Sequence, residues 1–569
     1  MRFRHSALSL AIFSSLTMLQ VAQADMIQAN KGDVLVENGI IDATNANLGV
    51  YASKGYTLTV KDDVIDISTK YQGAKASGNG SKVIVGSSDT QTVTITASST
   101  KKNFILDQSA VVALENGNTV VDGKTINLYS KGVSSQDVYG IFAKVGKIEV
   151  GSDVTDTINI KTQGKSSSED DGTESSGMMA FTSGSSITVT AKQLNIESNG
   201  VGLFVQSNKD TEQNASIQIN AKHTLINAAD TGIRAFSYGQ VNITGGVTIN
   251  APVAFDVRGN STTAINTSRQ GTVQINGDIA FETPGSAEHS GNNINANVDL
   301  YLSGSDSYWN GNAYKHYAAS VGDNDDNIKV SGLKVTLANG AQWTPTIIQE
   351  HGNEGGTILQ GQALNDLTFE NGVINVTQGQ GQEVHIDKTT GSGGTVNLLT
   401  TVANDGKLTA TTVDFGEIQG EVTPTFAVTY TGITADDVKS NNLGEIEGGV
   451  SAKEGSTFKE RRFVQQGAIK GALTETYDEN GKLLSRTVAE NTRLNAYGSV
   501  AALSIMQWRH EMSDLTKRMG ELRMSPEGVG SWARIYGSEQ EYGSQNITAR
   551  NNSVQVGVDA DVGYGWKVG

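Results

Sequence analysis

Two hydrophobic periods divide this chain. Upstream, short runs alternate apolar and polar residues with period two, the signature of strands. One unit reads Gly140-Ile141-Phe142-Ala143, then Ile148-Glu149-Val150, then Ile158-Asn159-Ile160. A second reads Gly177-Met178-Met179-Ala180, Ile187-Thr188-Val189 and Leu194-Asn195-Ile196. A third begins at Gly202-Leu203-Phe204-Val205 and continues to Ile217-Gln218-Ile219, with a blurred last strand near Leu225. A fourth holds Gly232-Ile233-Arg234-Ala235, Val241-Asn242-Ile243 and Val247-Thr248-Ile249, and Gly49 to Ile67 reads as an earlier copy. Three short strands per unit, at variable spacing, predict a right-handed parallel β-helix whose inward Ile, Val and Leu stack coil on coil. The alternative, a β-sandwich array, needs antiparallel hairpins at short regular spacing. The serine-rich acidic run from Ser166 to Glu174 lies in the longest unit and is expected to loop out as a solvated insertion.

From Asn491 to Arg523 the period becomes three and four. Leu494, Tyr497, Ala501, Ile505, Trp508, Met512, Leu515, Met519 and Leu522 fall on one helical face. Arg509, Glu511, Asp514, Lys517, Arg518 and Glu521 make a lipid setting costly, so the helix suits a wet, protein-walled channel. After Pro526 period two returns. Val554, Val556, Val558, Ala560 and Val562 alternate with polar residues and glycine, and Tyr564 and Trp566 follow at the end. That length and that aromatic edge fit a strand crossing a membrane. Trp532 to Gly537 reads as an earlier strand of the same kind.

HEMSDLTKRMGELR (510–523), SWARIYGSEQEYG (531–543) and NNSVQVGVDADVGYGW (551–566) resemble the linker helix and first strands of the autotransporter translocator of type V secretion. The resemblance implies a twelve-stranded outer-membrane barrel threaded by the helix, with everything upstream a passenger carried to the cell surface. It also implies dealings with the Sec translocon, periplasmic chaperones, the barrel-assembly machinery and outer-membrane lipid. Serine-protease autotransporters of enterobacteria cut this helix between two adjacent asparagines. The matching positions here are Ser513 and Asp514, and serine has no side-chain amide to attack its own backbone, so that cleavage is not expected. Only 46 residues follow Arg523, enough for about three spans where the smallest closed barrels need about eight, so the barrel is expected to be incomplete in this sequence.

A second resemblance lies before the helix. SGSDSYWNGNAY (303–314), VTLANGAQWTPT (335–346), LTFENGVINV (367–376) and IDKTTGSGGTVNL (386–398) are similar to the pertactin-like C-terminal passenger module. That similarity implies a stable closing segment that assists folding of the passenger. Tyr301, Tyr308, Trp309, Tyr314, Tyr317 and Trp343 crowd this region and are expected to make it the best-buried part of the chain. The acidic cluster from Asp323 to Asn327 lacks the spacing of a calcium loop and reads as a solvated turn. Beyond Asp436, the charged run Lys453 to Arg462 reads as helix or loop. Leu473 to Tyr477 and Lys482 to Arg486 flank Asn480-Gly481, a strong hairpin signal, and are expected to cap the solenoid.

Met1 to Ala24 has a basic start at Arg2 and Arg4, an apolar core from Ala7, and Ala22-Gln23-Ala24 as a small-x-small site. This predicts a secretory signal peptide cut between Ala24 and Asp25. The expected organisation is a signal peptide at 1–24, a β-helix passenger at 25–299 and the pertactin-like module at 300–440. A capping hairpin and linker follow at 441–490, then the pore-spanning helix at 491–523 and the start of the barrel at 524–569.

Composition narrows the function. Apolar residues make up 37% of 569, with 65 glycines and 5 prolines, which suits a thin core of large extent. The absence of cysteine excludes disulfides, thiolate zinc sites and cysteine catalysis. A formal net charge of −17 argues against binding nucleic acid. No GxSxG, GDSG, HExxH or P-loop motif occurs, and the histidines are scattered, so no enzyme, cofactor or metal is expected. Asp256 and Arg258 share one strand face, as an acid and a base of a polysaccharide lyase would, but two residues are a weak pattern. The expectation is a surface protein that acts by contact, as an adhesin or self-association factor in biofilm, host attachment or virulence. Its contacts would be host glycans, matrix or another copy of itself. A hydrolase or lyase passenger and a passive stalk are the alternatives.

Overall fold

The strand Thr92–Ser98 shows how each turn of the chain is built. Val93, Ile95 and Ala97 point inward and are fully buried, while Thr92, Thr94 and Thr96 stay half-exposed. The strand pairs parallel with Val64–Thr69 one coil earlier and with Thr125–Lys131 one coil later, so Ile67, Ile95 and Leu128 stand in one column. Its backbone N–H and C=O groups are satisfied by the coils on either side.

Repeating this gives a solenoid of three parallel ladders in the computed structural model. The structure describes residues 22–23, 26–101, 108–133, 135–164, 175–207, 213–283, 296–317, 332–346, 358–362, 364–377, 384–402, 407–420, 424–433, 446–464, 472–477, 483–489, 503–505, 508, 528–542, 547–564 and 566–568. The first ladder includes Leu48–Ser53, Gln72–Ser77, Gln108–Leu114, Val138–Lys144, Ser176–Phe181, Val201–Gln206 and Thr231–Phe236. The second includes Thr57–Val60, Lys82–Gly86, Asn118–Asp122, Lys147–Val150 and Gln240–Ile243. The third runs through Thr92–Ser98, Thr125–Lys131 and Thr157–Gln163. Ser186–Ser198 and Ser216–Ala228 are long enough to serve the second ladder with their first half and the third with their last.

Glycine leads the first-ladder strands because of what lies behind it. A Cβ at Gly49 would stand 2.7 Å from Ile67 Cγ2, and one at Gly140, Gly177, Gly202 or Gly232 would strike the Cγ2 of Ile160, Ile196, Ile226 or Ile249 of the same coil. The coil with Ala110 in this place has Leu128, which is not β-branched, whereas the coil with Ala254 there keeps Ile275 and has register shifts on either side of Val253. The exchange at Ala110 hid one coil, and Lys75 within the small-residue strand Gln72–Ser77 hid the coil before it. The turns beginning at Gln72 and Gln108 are absent from the units read off the sequence, yet both are regular. The blurred strand near Leu225 is also resolved: Ile226 and Thr224 point inward and Leu225 outward, one position from its apparent register.

Past residue 300 the core turns aromatic. Trp309, Trp343, Phe369, Phe415, Phe426 and Tyr430 are essentially fully buried, whereas Tyr301 and Tyr308 remain half-exposed. Among the described residues the parallel pairing of the first ladder ends at Ala313–Tyr317, against which Ile358–Gln362 runs antiparallel. The charged run read as helix or loop instead contains a strand, Lys459–Val464, parallel to Thr425–Thr431. Charges on both of its faces conceal its alternation, because Glu460 and Arg462 turn inward and pair at 2.8 Å. The expected hairpin is present as Ala472–Tyr477 antiparallel to Leu483–Ala489, and it extends that same ladder.

A separate sheet holds Val529–Tyr542, Ile547–Gly563 and Trp566–Val568, all antiparallel. Of the segment expected to be one long helix, residues 503–505 and Trp508 are helical and the rest lies outside the described residues. Among the described residues no helix is long and apolar enough to cross a membrane. The insertion from Ser166 to Glu174 and the cluster from Asp323 to Asn327 also lie outside the described residues.

Candidate contact surfaces

Parallel, in-register stacking turns a polar residue at one height of the coil into a column. On the outer face of the third ladder Asn127, Asn159 and Asn195 hydrogen-bond in series, Asn159 Nδ2 donating to Asn127 Oδ1 at 2.9 Å and Asn195 Nδ2 to Asn159 Oδ1 at 2.8 Å. A neighbouring column continues through Asn227, Asn250, Asn276 and Asn310, with bonds of 2.8, 2.8 and 3.0 Å. Asn375 and Asn397 repeat the pattern further along, at 2.7 Å. A linking amide such as Asn159 spends one N–H and one oxygen lone pair on its neighbours, which leaves one of each, while Asn276 donates to Tyr308 Oη at 3.4 Å as well. The face is thus a lattice of donors and acceptors at the coil spacing of about 4.8 Å. The sequence shows the asparagines in Thr157-Ile158-Asn159-Ile160 and Leu194-Asn195-Ile196; which of them meet is set by the offset between coils of unequal length.

The outer face of the first ladder differs. Val112, Phe142, Met179 and Phe204 form a column there, buried together with Tyr139 and Val201. Tyr139 and Phe142 stack with centroids 4.9 Å apart, and Phe204 meets Phe236 edge-on at 5.5 Å. The column then passes to charge at Arg234 and Asp256. Arg234 Nε lies 3.0 Å from Asp256 Oδ2 and Arg258 Nε 2.9 Å from Asp256 Oδ1, while Arg234 also reaches Asp230 at 3.1 Å. Arg258 covers the Phe236 ring at 4.4 Å.

Burial by itself pushes the Asp256 carboxyl up, but the charges and hydrogen bonds of Arg258 and Arg234 outweigh it and hold the group below the ordinary carboxylate value. Asp256 and Arg258, the pair considered for lyase chemistry, are therefore bonded to one another. Sequence parity found that pair and missed Arg234, which arrives from the previous coil.

The described histidines serve separate places. His223 is bonded to Thr248 Oγ1 at 3.1 Å, and burial lowers its pKa. His385 lies 2.9 Å from Asp414 and 3.3 Å from Asp387. Its hydrogen bond to Asp387 and the bond and charge of Asp414 raise its pKa against the opposing effect of burial. No group of three or more His, Asp or Glu that could hold a metal ion occurs among the described residues.

The sites expected from sequence fall elsewhere. Ala24 and Asp25 lie outside the described residues, and the neighbouring Ala22–Gln23 pairs parallel with Ile41 and Asp42. Ser513 and Asp514 also lie outside the described residues.

The antiparallel sheet has one apolar face. Ile535 stands opposite Val554, Ala533 opposite Val556 and Val529 opposite Ala560. Ile535 is 82% and Val556 75% exposed, and Val529, Val554, Val558 and Val562 are exposed with them. On the other face Arg534 bonds Gln555 at 3.0 Å, and Trp532 lies over Gly557, whose missing side chain makes the room. At roughly 25 cal/mol per Å² of apolar surface left in water, such a face is unfavourable until something apolar covers it.

No family model matches the chain, and no curated protein matches it. Among solved structures, that of the autotransporter UpaB from E. coli strain CFT073 is similar at a TM-score of 0.39 and 15% identity, over 82% of this chain and 100% of that one. A likeness this distant carries no function from one chain to the other.

Proposed function

We propose that the chain is a self-exported cell-surface protein of the autotransporter class, whose solenoid acts by contact as an adhesin or self-association factor. The observation that carries this reading is one chain holding both a polar solenoid and an apolar-faced antiparallel sheet. The amide columns offer hydrogen bonds to a repeating polar surface, and the exposed valine face from Val529 to Val562 calls for lipid. The resemblance of residues 510–566 to an autotransporter linker helix and first strands supplies the connection between them.

On this reading a signal peptide ending at Ala24 directs the chain to the Sec translocon. Periplasmic chaperones and the barrel-assembly machinery act next, and the barrel begins at the valine-faced sheet. The region from residue 300 serves as the closing module, with its stacked aromatic core resisting unfolding at the membrane-proximal end. Cells carrying the complete gene should clump or attach to matrix better than cells lacking it. Equal clumping and equal attachment would reject the reading.

A further inference from the structure

Between the second and third ladders the chain turns by corners of unequal length. It makes a projecting loop after Lys147–Val150 and another after Thr262–Ile265. In the coils between, it turns at Ala191-Lys192 and Ala221-Lys222 within continuous strands, and tightly at Thr244-Gly245. A groove of about 580 Å³ results, with a loop at either end. That volume is within the ~300–1,000 Å³ usual for small-ligand sites.

Both end walls are fixed from beneath. Thr155 is fully buried, and its hydroxyl donates to Gly123 O at 2.8 Å and accepts from the Ser152 N–H at 2.9 Å. Asn266 is fully buried at φ 55°, its amide donating to Gly271 O and accepting from the Gly271 N–H, each at 2.9 Å. Walls held in this way need little ordering when a ligand arrives.

The lining has a definite chemistry. Ala191, Ala221 and Gly245 give it an apolar floor, while Thr190, Asn220 and Gln270 add hydroxyl and amide groups. Lys192 is neutralised by Asp156 at 2.6 Å, and the lining's other two charged residues, Lys222 and Asp153, are of opposite sign. Along the floor the backbone is already paired from coil to coil, Lys192 N to Thr155 O and Thr244 N to Ile219 O at 3.0 Å each, so a peptide could not add here as a strand. A net charge of −17 disfavours polyanions throughout. A narrow strip of small residues, Ala191, Ala221 and Gly245, beside neutral hydroxyl and amide groups matches a pyranose chain, with C–H groups below and hydroxyls to the side.

We propose that this groove binds a neutral oligosaccharide. The assignment rests on the contact reading above, naming its site and ligand class. The test uses the purified chain on immobilised dextran, mannan and galactan, with heparin as the polyanion arm. Asn220→Trp and Gln270→Trp fill the groove from exposed positions, and Lys334→Trp, on the second ladder further along, is the control.

The expected result is retention on a neutral polysaccharide, weakened at least about tenfold by either filling variant and unchanged by the control. Retention on heparin alone, on none of the polymers, or equally by the filled variants overturns the proposal. Attachment of intact cells is measured in parallel. Attachment that is indifferent to both filling variants defeats the site and leaves the contact reading standing. Polysaccharide binding by the purified chain, with no attachment or clumping by cells, does the reverse.

Discussion

Trp309 and Trp343 occupy the same position in consecutive coils, their rings stacked 5.1 Å apart and 5° from parallel. Each indole N–H donates to a glycine carbonyl one coil back, Trp309 to Gly277 at 3.1 Å and Trp343 to Gly311 at 3.0 Å. Both side chains are fully buried, so the pair joins coils through apolar area, stacking and two buried hydrogen bonds at once.

Truncating this pair should open the closing region first. Trp343→Ala is expected to cost about 3–5 kcal/mol. Trp343→Phe keeps a ring but strands the Gly311 carbonyl, and should cost about 1–3 kcal/mol. Urea unfolding followed by far-UV circular dichroism measures both; a Trp343→Phe midpoint equal to that of the unsubstituted protein would contradict the role given to the indole N–H, and one equal to that of Trp343→Ala would contradict the role given to the ring.

The glycine column makes a pairwise prediction. Gly202→Ala brings a methyl against Ile226 Cγ2 and against the Gly232 carbonyl, and should destabilise by about 1–3 kcal/mol. Adding Ile226→Leu removes the side-chain part of that clash and should recover part of the loss, since Ala110 with Leu128 is a combination already present in another coil. A double variant no more stable than Gly202→Ala would show that the glycine is needed for a different reason.

How much of this was legible in the sequence depended on register. The alternation in Ile158-Asn159-Ile160 and its relatives gave three strands per coil, and Asn480-Gly481 marked a hairpin that is present. The Gln72 and Gln108 coils escaped because Lys75 interrupts a small-residue strand in one and Ala110 replaces the leading glycine in the other. Lys459–Val464 escaped because an ion pair occupies its inward positions. Amide columns and the three-residue cluster around Asp256 depend on which residues meet across coils of different length, and local periodicity does not encode that.

The Asp256 cluster should make stability depend on acid. Its carboxyl titrates below the ordinary value near 3.8, so its contribution is complete above that value and is lost as the pH falls through the lower folded one. Asp256→Asn leaves Arg234 and Arg258 without their shared anion and should cost about 3–5 kcal/mol at neutral pH. Urea midpoints of the two proteins from pH 7 down to pH 2 should converge at the acid end.

His385 acts in the opposite sense. Its pKa is raised by Asp387 and Asp414, so the stabilisation is complete below the ordinary imidazole value of 6.5 and is lost as the pH rises through the higher folded value. Hydrogen exchange in Val384–Ser392 and Leu408–Asp414 should quicken above neutrality, beyond the intrinsic rate, and His385→Gln should abolish that change.

The central claim is that the solenoid stands outside the cell, anchored by the valine-faced sheet. These 569 residues contain no cysteine, and Lys147→Cys places a reactive thiol at an exposed solenoid position, with the unsubstituted gene as the labelling blank. Intact cells carrying the complete gene with this substitution are treated with a membrane-impermeant maleimide. Labelling as complete on intact cells as on cells with a permeabilised outer membrane is the result the account predicts; labelling only after permeabilisation would contradict it.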